Sequence, residues 1–160
     1  MILSKKKILE KIKTILSETN NWEKKLFKIC RTIKSSMKKY DWVGFYFSDS
    51  KNRKLNLIAF SGKKTEHTEI PFGKGICGQV AISNKTLIVP DVKAEKNYIS
   101  CNINVKSEIV VPILTNGSNI GQIDIDSNTI NAFSNKDKIF LQEVCNLISK
   151  KHKERLSNYN

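Results

Sequence analysis

The pair Asn116-Gly117, set between two long apolar segments, is the feature that most constrains the fold of this chain. Asn-Gly is the strongest short signal for a two-residue hairpin turn, because both residues tolerate the positive φ angles that this turn requires. The flanking segments, "SEIVVPIL" and "NIGQIDIDS", are rich in isoleucine and valine, which favour strands. We therefore predict an antiparallel β-hairpin across residues 107–127.

Helices are predicted at both ends of the chain. Near the start, two groups of apolar residues recur at helical spacing with lysines between them, which is typical of amphipathic helices. The first group is Ile8, Ile12, Ile15 and Leu16, and the second is Trp22, Leu26, Ile29, Ile33 and Met37. A last helix is predicted to begin at a cap on Ser134, with Asp137 in its first turn.

The middle of the chain predicts short strands, one short helix and a long connection. Residues 41–47 and 55–60 are aromatic or β-branched and flank a turn-like segment, which predicts a second hairpin. Residues 76–83 predict a short helix with Cys77 at its N-terminus, and residues 87–90 predict a strand. Residues 91–106 predict a long, mobile connection.

The resulting order ααββαβββα, with strands joined by hairpins, predicts an α+β domain in which helices pack against an antiparallel sheet. With 160 residues and 39% hydrophobic composition, the chain is long enough for one domain with a real core, so we expect a single domain over residues 1–160. Neither a signal peptide nor a run of about 20 apolar residues is apparent, so we expect a soluble, cytoplasmic protein.

The charge balance raises a second class of function. Lysine and arginine number 28 against 15 acidic residues, which gives a formal net charge of +13 and invites a nucleic-acid-binding interpretation. However, the charge is scattered, and almost all of it is lysine, whereas phosphate and base recognition relies on arginine and on interleaved aromatic residues. We therefore expect no nucleic-acid partner.

Four cysteines, Cys30, Cys77, Cys101 and Cys145, are candidates for chemistry. A disulfide framework is not expected in a reducing cytosol, and no paired ligand spacing predicts a structural zinc site. Cys30 and Cys145 lie in helical apolar stripes and are predicted to be core residues. Thiols at helix N-termini are activated, and a second thiol can resolve an oxidised first one, so function is open for Cys77 and favoured for Cys101 in its polar loop.

Three carboxylates are predicted to meet on one face of the 107–127 hairpin. Asp124 and Asp126 are two residues apart and so project from the same face of a strand, although aspartate is a poor strand former. Glu108 lies in an apolar run on the partner strand. A solvated sheet face is the alternative, but such a cluster facing a pocket would suit a cationic or proton-donating ligand, and mutual repulsion would let one carboxyl keep its proton near neutral pH.

Six blocks of this sequence, taken together and in order, resemble the free methionine-(R)-sulfoxide reductases, which are single GAF domains. The blocks are "DWVGFYF", "IPFGKGICG", "VPDV", "YISCN", "SEIVVPI" and "GQIDIDS". The resemblance covers roughly residues 22–150. It implies a GAF-like antiparallel sheet flanked by N- and C-terminal helices.

The resemblance also implies an activity and a set of roles. Cys101 would be the nucleophile and Cys77 its resolving partner. The carboxyl groups would bind and protonate the substrate, and two aromatic residues would line its pocket. These substrate-binding positions are Glu108, Asp124, Asp126, Trp42 and Tyr46. The product is free methionine, formed through a sulfenic acid and a disulfide, with a thioredoxin-like reductant, no metal and no organic cofactor.

One position departs from the family pattern. Many members have a third cysteine three residues before the Ile-Pro-Phe segment, where this chain has His67. Resolution would then run through Cys77, and a two-cysteine form of the enzyme is the simpler hypothesis. A non-catalytic GAF module that binds or senses a small molecule is the alternative. The family also tends to form homodimers through its helices.

Overall fold

A computed structural model describes residues 3–19, 21–100 and 102–158 as four helices, six strands and a 3-10 turn. The helices are α1 (Lys5–Ser17), α2 (Trp22–Ser36), α3 (Gly75–Ser83) and α4 (Asn135–Ser157). The strands are β1 (Trp42–Asp49), β2 (Lys54–Ser61), β3 (Glu69–Pro71), β4 (Leu87–Val89), β5 (Ser107–Thr115) and β6 (Ser118–Ser127). The 3-10 turn spans Val92–Ala94.

The six strands form one sheet in the order β3-β2-β1-β6-β5-β4, with antiparallel pairing between neighbours. The β5–β6 turn is the predicted one, since Asn116 and Gly117 have φ angles of 51° and 79° and Thr115 pairs with Ser118. The predicted α+β class is confirmed. β3 and the 3-10 turn were not predicted, because each spans only three residues and β3 ends at a proline.

Strand alternation divides the apolar side chains between two cores. On one face of the sheet, α1, α2 and α4 cover Phe45, Ile109 and Ile125 among others. On the opposite face, α3 covers a smaller cluster that includes Trp42, Tyr46 and Cys77. We call these the three-helix face and the α3 face. As predicted, Cys30 and Cys145 are buried in the core of the three-helix face.

Asp137 joins the helices of the three-helix face to one another. Its carboxylate accepts a hydrogen bond from the backbone N–H of Ser134, which caps α4, and another from the Tyr40 hydroxyl, at 2.8 Å in both cases. It also pairs with Lys5 of α1 at 3.1 Å. One partly buried carboxylate thus fixes the start of α4 against α1 and the segment that leads into β1.

Within the described residues, no helix is both long enough and apolar enough to span a membrane.

Replacing Gly121 by alanine tests the close approach of β6 to β1. The added Cβ would overlap the carbonyl oxygen of Tyr46 and lie 3.1 Å from Phe47 Cα. Because these are backbone atoms, the strands would have to separate, so we expect the free energy of unfolding in urea to fall by about 1–3 kcal/mol. Gly117→Asn is the control, since its turn position has an open surrounding and a φ that asparagine tolerates. Equal losses in both variants would contradict this account.

Candidate active site

The strand register brings the three predicted carboxylates together on the α3 face. Asp126 pairs with Glu108 on one side and with Trp42 on the other, so these three side chains form a row across β5, β6 and β1. Asp124 lies two residues earlier on β6 and pairs with Gly44. Directly paired residues project from the same face of a sheet. The strands therefore place Glu108, Asp124 and Asp126, which we call the acidic row, beside the aromatic side chain of Trp42.

All three carboxylates are buried: Glu108 is 5% exposed, Asp124 is 1% exposed and Asp126 is 3% exposed. Burial disfavours the charged form, so it raises the pKa of Asp124 and raises the pKa of Asp126 well above its usual range, where the charge of Asp124 adds to the effect. Hydrogen bonds from Glu108 and Cys77 oppose the rise at Asp124. Within the described residues, no lysine or arginine forms an ion pair with Asp124 or Asp126. These two buried carboxylates therefore lack an ion-pair partner among those residues.

Cys77 lies in the first turn of α3, directly above these carboxylates. Its Sγ is 4.0 Å from Glu108 Oε1, and ligand atoms of Cys77, Glu108 and Asp124 all lie within 4.8 Å of one another. Burial, followed by the charges of Asp124 and Glu108, raises the pKa of the Cys77 thiol well above its usual range. The helix N-terminus therefore does not lower the pKa of the Cys77 thiol, because desolvation and the nearby carboxylates outweigh the helix dipole.

Trp42 and Tyr46 lie on the α3 face, because residues four apart on a strand project from the same side. The register of β1 with β6 is unbroken, and the irregularity lies in its pairing with β2. The two rings are 6.4 Å apart, and Trp42 also stacks on Phe60 at 5.7 Å. Hydrogen bonds to the carbonyl oxygens of Lys63 and His67 fix the Trp42 indole and the Tyr46 hydroxyl, respectively.

A cavity of about 520 Å³ opens beside this site, and Trp42 and Asp126 are among its lining residues. Asn102 and Val105, from the connection before β5, also line it. Tyr46, Asp124 and Cys77 are not among the lining residues and are buried, at 4% exposure or less. The cavity thus brings the aromatic ring of Trp42 next to Asp126, and Lys34 and Lys63 also line it.

Cys101, the predicted nucleophile, lies outside the described residues. The residues on either side of it are described: Asn102 lines the cavity, and the carbonyl oxygen of Ser100 is 3.1 Å from His67 Nε2. His67, at the position of the family's third cysteine, therefore contacts the segment that leads to Cys101. This contact was not predicted, because nothing local in the sequence links residues so far apart.

Gln122 is a site residue that the sequence interpretation missed. It is fully buried, and its Nε2 donates a hydrogen bond of 3.0 Å to the carbonyl oxygen of Cys77. This bond ties the first turn of α3 to β6. The signal was available, because Gln122 precedes Asp124 and Asp126 by two and four residues and must share their face.

Comparison with known proteins identifies the family. The sequence pattern of the GAF domain matches residues 22–151. The chain is 36% identical over 141 residues to GAF domain-containing protein A of Dictyostelium discoideum. The match covers 88% of this chain and 87% of that protein. It is 42% identical over 124 residues to a free methionine-R-sulfoxide reductase of Saccharomyces cerevisiae, which covers 76% of this chain and 68% of the yeast protein. The chain belongs to the GAF-domain family of free methionine-R-sulfoxide reductases.

A solved structure supports the same assignment. The free methionine-R-sulfoxide reductase of Neisseria meningitidis, determined in complex with its substrate, superposes on this GAF domain with a TM-score of 0.89 and 30% sequence identity. The match covers 96% of this chain and 94% of that one. The family resemblance and the GAF-like fold predicted from the sequence are therefore confirmed.

Burial of Asp126 makes a testable prediction about pH. Because its pKa is higher in the folded than in the unfolded state, the folded protein binds the extra proton, and stability falls as pH rises above the unfolded pKa of about 3.9. Asp126→Asn removes this loss. We therefore expect the variant to gain stability relative to wild type as pH rises from 4 to 7, measured by urea unfolding at each pH.

Asp49→Asn is a matched control of opposite sign. Hydrogen bonds from Asn52 lower the pKa of Asp49, so this carboxylate stabilises the fold fully above the unfolded pKa of about 3.9 and loses that effect as pH falls. Asp49→Asn should therefore lose stability relative to wild type as pH rises from about 2 to 4 and should change little from pH 4 to 7. The same trend in both variants would contradict the assigned cause.

Proposed function

We propose that this protein reduces free L-methionine (R)-sulfoxide to methionine with its own cysteine thiols. The observation that carries the proposal is the acidic row beside the cavity that Trp42 lines, with Cys77 next to Glu108. The similarity to the free methionine-R-sulfoxide reductases of Saccharomyces cerevisiae and Neisseria meningitidis supports it. The R epimer follows from those relatives alone.

The acidic row explains why the substrate would be the free amino acid. The ammonium group of free methionine sulfoxide supplies the positive charge that Asp124 and Asp126 lack, whereas a methionine sulfoxide inside a peptide has an uncharged amide instead. Pairing a buried carboxylate with a cation recovers much of its desolvation cost. Trp42 and Tyr46 would pack against the apolar end of the substrate, and sulfur makes favourable contacts with aromatic rings.

The first chemical step uses a proton from the same carboxyl groups. Raised pKa values allow one of them to remain protonated near neutral pH and to donate a hydrogen bond to the sulfoxide oxygen, which makes the sulfur more electrophilic. The Cys101 thiolate then attacks this sulfur. This attack forms an S–S bond. The protonated oxygen then transfers from the substrate sulfur to the Cys101 sulfur, the S–O bond and the new S–S bond both break, and Cys101 is left as a sulfenic acid while methionine leaves.

The second step uses Cys77. Its thiol attacks the sulfenic acid of Cys101, a disulfide forms and water leaves. Because the Cys77 thiol is held protonated, it needs a base, and Asp124, which accepts a hydrogen bond from this thiol, can take its proton once the substrate has left. An external dithiol of the thioredoxin type would then reduce the disulfide. The free thiols of Cys30, Cys77 and Cys145 suit the reducing cytoplasm, where we place the protein.

The test is to incubate the purified protein with both epimers of free L-methionine sulfoxide and either dithiothreitol or thioredoxin, and to follow each epimer by chiral chromatography. We expect the R epimer alone to be consumed, and Cys101→Ser to lose all activity while it keeps the circular dichroism of the wild type. Cys145→Ala is the matched control and should stay active, because that thiol lies in the core of the three-helix face. Binding of methionine sulfoxide without consumption of either epimer would instead indicate a small-molecule sensor.

A further inference from the structure

Cys77, Glu108 and Asp124 also form a set of metal-ligating groups. One sulfur or oxygen atom from each lies within 4.8 Å of the other two. Around a tetrahedral Zn²⁺, with Zn–S near 2.3 Å and Zn–O near 2.1 Å, neighbouring ligand atoms lie roughly 3.3–3.7 Å apart. Shifts of about 1 Å or less would therefore bring the three groups into a coordination sphere.

An unsatisfied atom is a second and independent sign of a ligand. Asp124 is 1% exposed, and within the described part of the chain its buried Oδ1 has no hydrogen-bond partner. A buried polar atom without a partner costs free energy. Asp124 also contributes a carboxylate oxygen to the three-group set, so a cation held by one or both oxygens of this carboxylate would give the side chain a positively charged partner.

We propose that Cys77, Glu108 and Asp124 form a reversible binding site for a thiophilic divalent cation of the Zn²⁺ class, and that an ion bound there inhibits the enzyme. A thiolate with two carboxylates suits Zn²⁺, which accepts sulfur and oxygen ligands at low coordination number. Mg²⁺ and Ca²⁺ prefer oxygen ligands alone and higher coordination numbers. The site should therefore bind Zn²⁺, a borderline-soft ion, in preference to Mg²⁺ and Ca²⁺.

Inhibition follows from what the ion would occupy, and this half of the inference rests on the proposed function. Coordination replaces the proton of the Cys77 thiol with the metal and releases that proton to solvent. The metal-bound sulfur is then unavailable to resolve a sulfenic acid. The ion also takes the negative charge of Asp124, so it competes with the ammonium group of the substrate.

Titration with Co²⁺ tests the binding without any turnover. Reduced protein, freed of reductant under anaerobic conditions, should develop a thiolate-to-cobalt charge-transfer band that saturates at one ion per chain. Cys77→Ser should abolish the band, and Zn²⁺ should displace the cobalt. Cys101→Ser and Cys145→Ala should both keep it. Absence of the band in the wild type, its survival in Cys77→Ser, or its loss in Cys101→Ser would overturn the proposed site.

Asp124→Asn provides a second variant, which nearly preserves the volume of the side chain. We expect its affinity for Zn²⁺, measured by competition with a chromophoric chelator, to fall at least about tenfold, which is about 1.4 kcal/mol. Asp91→Asn makes the same change on the surface, next to the 3-10 turn, and should leave the affinity unchanged. Equal affinities in the wild type and Asp124→Asn would exclude this carboxylate as a ligand.

Steady-state kinetics test the inhibition. Zn²⁺ should raise the KM for methionine sulfoxide, and a chelator should restore it. A protein that binds Co²⁺ through Cys77 but shows no reductase activity would overturn the proposed function and leave the metal site standing. An active reductase without the cobalt band would overturn only the metal site.

Discussion

Burial of Glu108, Asp124 and Asp126 on one face of the β5–β6 hairpin is the constraint on which the site depends. Carboxylates in a water-poor setting cannot all stay charged without a cation, so they keep protons or bind one. Asp124 and Asp126 have no lysine or arginine partner within the described residues. The interior thus holds carboxylates that lack a cationic partner, and a cationic ligand can provide one.

The fold tolerates the cost of burying these carboxylates because the same strands also build an apolar core. Ile123 and Ile125 alternate with the acidic residues of β6 and pack beneath the helices of the three-helix face. Burial of such side chains contributes roughly 1.5–3 kcal/mol each. One face of the hairpin therefore supplies stability, while the other carries groups that reduce it.

The acidic row also assigns different chemistry to the two cysteines of the proposed cycle. Cys77 is held as a thiol by burial and by its carboxylate neighbours, which suits a group that acts second and only beside a base. A nucleophile that attacks first needs thiolate character. The sequence places Cys101 in a polar connection, which makes it the better candidate for that role.

Local signals made much of this arrangement predictable. The Asn116-Gly117 turn defined the hairpin, and the spacing of Asp124 and Asp126 placed both side chains on one face. The lowered acidity of Cys77 was not predictable, because it depends on carboxylates that only the folded sheet brings near it. The contact between His67 and Ser100 likewise depends on two loops meeting, and β3 is too short to leave a periodic pattern.

A single-turnover experiment tests the central claim most directly. Fully reduced protein is mixed with excess methionine (R)-sulfoxide and no reductant, and the methionine formed and the cysteine linkages are measured by mass spectrometry after rapid acid quenching. We expect one methionine per chain and a disulfide that joins Cys77 to Cys101. Methionine formation with a disulfide elsewhere, or with Cys77 still reduced and alkylatable, would contradict it.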